Sequence, residues 1–147
     1  MTLFVIYCVL MLLLLFIRPV YENGGTYWEN VAAHFNPVPF STIGRFIRAL
    51  GYDLAEPVFY QIMVNLVGNV VLFIPLGAFM SWLMGRKRSF FKCLGIGAII
   101  ISVIEVAQML TLLGYCDVDD LILNELGIAI GYLMINPIVK LPPQHGN

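Results

Sequence analysis

Apolar runs alternate with polar segments along this chain, and the alternation predicts where helices fall. Met1 to Ile17 is apolar without interruption, and Val58 to Met84 carries no charged residue. Phe90 to Leu113 has Lys92 and Glu105 as its charged residues, and Leu121 to Val139 has Glu125. A helix needs about 20 apolar residues to cross a bilayer, with a lower limit of about 17. The runs therefore predict four spanning helices, over about 1–17, 58–84, 90–113 and 121–139. A cleaved signal peptide is the rival for the first. Arg18-Pro19 follows that run with no small-residue cleavage site, and no basic residue opens it. An uncleaved first helix is expected.

The polar segment from Arg18 to Glu56 is the one long connection. Tyr21, Tyr27 and Trp28 are amphipathic rings suited to the headgroup level. Asn36 to Ile43, NPVPFSTI, has two prolines and reads as extended. Beyond it Ile43, Phe46, Ile47 and Leu50 recur at helical spacing, with Arg45 and Arg48 on the other side. This is either a short interfacial helix or a surface loop with an apolar underside. Glu56-Pro57 suits a helix start, Pro75 should kink that helix, and Gly114 to Asp119 reads as a tight turn. Pro142-Pro143 opens a polar tail.

Composition agrees with this pattern. The 147 residues are 60% hydrophobic and 12% charged, against about 25% charged in soluble domains. The fold class is therefore an all-α membrane protein, a single domain of four helices in a compact bundle with a short interfacial helix in the first outer loop. A net charge of -1 offers nothing for nucleic acid. Cys8, Cys93 and Cys116 form no CxxC pair and read as free thiols. Arg86, Lys87, Arg88 and Lys92 make a short basic loop, which places that loop, both termini and Lys140 in the cytoplasm. Arg18, Arg45 and Arg48 then lie outside, in a long loop that counts for less in this rule.

With a rise of about 1.5 Å per residue, Asn65, Asn69, Glu105, Gln108, Asp120 and Asn124 all fall in the outer half of the membrane. Ser102, Glu105 and Gln108 recur at spacings of three, and Asp120, Asn124, Gly127 and Gly131 at four and three. The GxxxG pair Gly127 and Gly131 permits close helix approach. A pocket lined by Asn65, Asn69, Glu105, Gln108, Asp117, Asp120 and Asn124 is expected, open to the outer leaflet. Each residue also has a plainer use. Asn65 and Asn69 serve as interhelical glue, worth about 0.6 kcal/mol each. Asp117 and Asp119 suit a solvated turn, with Asp120 as a helix cap. Glu125 suits lipid headgroups, and His34 a solvated loop. Glu105 is hardest to dismiss. With no Lys or Arg near it in sequence, it is either protonated or paired with Gln108 or a distant Arg.

These residues carry a family resemblance. Asn65, Asn69, Phe73, Pro75 and Gly77 form N-x-x-x-N-x-x-x-F-x-P-x-G; Glu105 and Gln108 form E-x-x-Q; Asp117 to Gly127 form D-V-D-D-L-I-L-N-x-x-G. Together they resemble the VanZ-like family, that of the teicoplanin-resistance membrane protein, over roughly residues 30 to 133. NPVPFSTI resembles the family segment before its second helix. Many members carry an Arg before the acidic turn, where this chain has Leu113-Gly114, so Arg45 or Arg48 would have to substitute. The resemblance implies a bacterial cell-envelope membrane protein linked to tolerance of glycopeptide or lipopeptide antibiotics.

Two functions follow as expectations. In the first, the pocket holds an amphiphile, either a lipopeptide or a lipid-linked wall precursor, with membrane lipids around it. In the second, an intramembrane enzyme uses Glu105 as acid or base, and Asp117, Asp119 and Asp120 hold a divalent cation. Against the second, the acidic turn lacks EF-hand spacing, and no HExxH, Ser-His or Cys-His arrangement is present. A transport path is weaker, because four helices leave little room for a pore.

Overall fold

A computed structural model describes residues 1–17, 24–51, 56–85 and 89–135. It is mostly helical: α1 (Thr2–Phe16), α2 (Tyr27–Ala33), α3 (Ser41–Gly51), α4 (Glu56–Met84), α5 (Phe90–Leu110) and α6 (Val118–Ile135). Two short strands, β1 (Phe35–Asn36) and β2 (Cys116–Asp117), pair in parallel. Met63–Met84 in α4 and Phe90–Leu110 in α5 are long and apolar enough to cross a membrane. Apolar α1 has 15 residues, and α6 has 18 with Asp119, Asp120 and Glu125 among them. The basic residues 86–88, Lys140 and the double proline lie outside the described residues.

Glycines set the spacing of the bundle. A Cβ on Gly127 would sit 2.3 Å from the Val70 carbonyl oxygen, and one on Gly131 would sit 1.9 Å from that of Ile74. From the other side, a Cβ on Gly77 would meet the Ile128 carbonyl oxygen at 2.1 Å. So α4 and α6 touch backbone to backbone, as small residues permit. Gly97 on α5 makes room instead for the side chains of Ile128 and Glu125, whose Cδ1 and Oε1 would lie 2.6 and 2.8 Å from a Cβ there. Glu125 therefore faces α5 within the bundle rather than headgroups. Phe73, Ile101, Ile128 and Cys93 fill the core.

Ring contacts fix the direction of each helix. Phe4 and Tyr7 pack on Phe79, with centroids 5.2 and 5.8 Å apart, and Phe90 packs on Tyr132 at 5.5 Å. The start of α1 and the later part of α6 thus lie at the end where α4 gives way to α5. Pro75 sits inside α4, where it removes a backbone donor. One turn earlier, the Leu72 carbonyl accepts the Tyr7 hydroxyl at 2.7 Å, which ties α1 to the turn that proline weakens.

Three boundaries differ from those read in the sequence. The third helix ends at Leu110, not Leu113. There Leu113 N–H donates to Gln108 O (3.0 Å) and Leu112 N–H to Met109 O (3.2 Å). This is a Schellman closure. Leu112 takes the left-handed position at φ 54°, where glycine is usual, so the sequence carries no stop signal. The last helix begins at Val118, three residues early, because the Asp117 side chain caps it by accepting Asp119 N–H at 2.9 Å. The amphipathic helix begins at Ser41, and only the residues through Phe40 are non-helical.

A polar site capped by the first long loop

The polar residues expected to line the pocket gather at the end of the bundle opposite Phe79 and Phe90, but they meet in small groups. On the α4–α6 seam, Asn65 and Asn69 both donate amide hydrogens to Asp120 Oδ1. On the α5 side, Glu105 Oε2 accepts the Asp117 backbone N–H at 3.3 Å. Gln108 turns to α1 and donates to Leu15 O at 2.8 Å. Gly114 folds over it, with Gln108 Cβ 3.0 Å from where a Cβ on Gly114 would stand. Asn124 is 2% exposed, and its Oδ1 has no partner among the described residues. Ser102 points away and is exposed, because a spacing of three drifts around the helix by about 60° per step.

The acidic turn is not a solvated loop. Asp119 is 0% exposed. Its carboxylate accepts the backbone N–H groups of Phe40, Thr42 (2.7 Å) and Ile43 (3.2 Å). These are the orphan donors at the start of α3. Phe40 precedes that helix with φ 61° and no side-chain acceptor, so a residue 77 positions away supplies the cap. Asp117 is also buried. Its Oδ2 accepts from Asn36 Nδ2 (3.0 Å) and from the Thr42 hydroxyl (2.8 Å). Arg45 Nη2 donates in turn to Thr42 Oγ1 at 2.8 Å. Arg45, not Arg48, therefore reaches the acidic turn, with one hydroxyl between them.

A cation held jointly by Asp117, Asp119 and Asp120 does not fit this arrangement. Asp119 is turned to amides of α3, Asp117 to Asn36 and Thr42, and Asp120 to α4. Among the described residues, no group of three or more His, Cys, Asp or Glu is placed to hold a metal ion.

The sequence reading missed the rest of the cap. Thr26 opens α2 with a capping box: Glu29 N–H donates to Thr26 Oγ1 (3.4 Å) and Thr26 N–H to Glu29 Oε2 (2.7 Å). Those bonds hold the Glu29 carboxyl below its ordinary pKa. The spacing T-x-x-E was the signal that would have found this helix. Tyr27 donates from its hydroxyl to Leu110 O at 2.7 Å. His34, expected in solvent, is 1% exposed. Its ring stacks on Tyr115 at 4.5 Å, Nδ1 lies 2.6 Å from Asn30 O, and its carbonyl accepts Cys116 N–H at 2.8 Å. Burial, with the Glu105 and Asp117 carboxylates behind it, pushes the Cys116 thiol up.

Apolar surface frames this end. Val38, Phe40 and Ile47 are exposed on the cap, as are Tyr27, Trp28 and Tyr115. A shallow, open apolar groove runs along the same end of α1, lined by Val9, Leu12, Leu13, Phe16 and Ile17.

An apolar helical bundle with its acids and amides collected under a cap at one end is the signature of a small membrane-associated protein. The chain belongs to the VanZ/LLP1 family, whose model matches residues 4–140. No curated protein and no solved structure matches it.

Proposed function

We propose that this protein crosses the cell-envelope membrane four times, with both termini cytoplasmic, and binds an amphiphile at its outer, capped end. The ligand class is a lipopeptide or a lipid-linked wall precursor, and the consequence is tolerance to glycopeptide antibiotics such as teicoplanin. One observation carries the reading. Buried acids and amides collect at a single end, beside an open apolar groove along α1 and exposed arginines on α3. A polar headgroup suits the cap, and an acyl chain suits the open apolar groove along α1. Asp117 and Asp119 hold the cap in position for that headgroup, with Asn65, Asn69 and Asp120 at the seam and Glu105, Gln108 and Asn124 beneath.

The test uses purified full-length protein in nanodiscs and a lipoglycopeptide. Saturable binding above that of empty discs supports the reading, and equal binding by protein and empty discs removes it.

A further inference from the structure

We propose that the exposed side of α3 is a docking surface for the anionic phospholipid headgroups of the leaflet it touches, with Arg45 and Arg48 gripping lipid phosphate. The inference rests on the reading that the capped end meets the membrane surface.

The two arginines are three residues apart, so they share one side of the helix. Both are exposed. Arg45 spends one of its five N–H donors on Thr42 Oγ1, and that bond steadies the guanidinium while leaving most of its fork outward. A guanidinium fork matches phosphate oxygens, two bonds at a time. Across the helix, Ile47 is 62% exposed, and Val38 and Phe40 just before it are 58% and 62% exposed. Cationic heads on one side and bare apolar groups on the other describe a helix lying in the headgroup plane.

The acids beneath do not cancel this charge. Asp117 and Asp119 are buried and turned inward to Asn36, Thr42 and the α3 amides. Their bonds fix the height and tilt of α3 against α6, so the arginines meet phosphate as part of a rigid surface. Trp28, 70% exposed, and Tyr27 belong to the same cap, where amphipathic rings favour the headgroup level.

The experiment is native mass spectrometry of the full chain, purified with an equimolar mixture of phosphatidylglycerol and phosphatidylcholine. Wild type should retain phosphatidylglycerol preferentially. Arg48→Gln should reduce that preference by about fivefold, and Arg45→Gln/Arg48→Gln by about that factor per arginine. Lys92→Gln, at the other end of the bundle, should leave it unchanged. Equal preference in wild type and the double variant would overturn the proposal. So would displacement of phosphatidylglycerol by inorganic phosphate, which would mean a free anion site and not a lipid surface. Lipoglycopeptide binding is measured on the same samples. Wild type that prefers phosphatidylglycerol yet binds no drug sinks the amphiphile reading alone.

Discussion

The carboxylate of Asp119 and the backbone N–H of Thr42 lie 2.7 Å apart, although 77 residues separate them in the chain. A single side chain on α6 therefore decides whether α3 begins where it does. Asp119→Ala should cost about 1.5–3 kcal/mol, the range for hydrogen bonds to a charged group. It should also expose residues 37–51 to proteolysis. Thermal unfolding in detergent and limited digestion measure the two effects. An unchanged digestion pattern would mean that α3 is held by other contacts.

Gly131→Ala should be far more damaging than Gly68→Ala. A Cβ on Gly131 would lie 1.9 Å from a backbone oxygen, whereas one on Gly68 meets nothing within 4 Å. Overpacking of this kind costs about 1–3 kcal/mol, and backbone cannot step aside as a side chain can. Membrane abundance and melting temperature of the two variants check the contrast. Equal behaviour would deny that α4 and α6 touch through their main chains.

Cys116 should be a slow thiol at neutral pH. Burial, Glu105 and Asp117 all disfavour its thiolate, so alkylation should rise only above the ordinary thiol range. Glu105→Gln removes one of those charges and should speed labelling at a given pH. The same residue reports orientation. An impermeant maleimide added to intact cells at alkaline pH should label Cys116, and labelling only after permeabilisation would reverse the proposed topology.

Glu105→Gln also separates folding from function. A glutamine oxygen can still accept the Asp117 N–H, so membrane abundance should be unchanged. Tolerance to teicoplanin should fall if the charge serves a headgroup. Full tolerance at normal abundance would leave Glu105 a structural role and move attention to Asp120 between Asn65 and Asn69.

The bundle was legible because runs of apolar residues and a GxxxG pair are local signals. The polar end was legible as a depth, since the helical rise converts residue number to height. Its wiring was not. Parallel pairing of Phe35 with Cys116 leaves no mark in either segment, because a two-residue strand has no periodicity to read. Asp117 and Asp119 look like a solvated turn from sequence, because their partners lie more than seventy residues away: the Asn36 and Thr42 side chains for Asp117, and the α3 backbone amides for Asp119. Leu112 ends α5 in a conformation its side chain disfavours, so the true end of the helix was hidden. Gln108 was placed on the right helix face but binds the Leu15 carbonyl, a main-chain acceptor that no side-chain pattern reveals.

The remote cap on α3 also orders events during synthesis. Residues 40–43 leave the ribosome 77 positions or so before the carboxylate that completes their helix. At ~5–20 residues per second that interval is about 4–15 s. During it α4, which also packs against α3, is made, while the acceptor for the α3 amides is still missing. The cap thus closes only after α4 and α5 are made, and a chain stalled before Asp119 would display α3 without its lock.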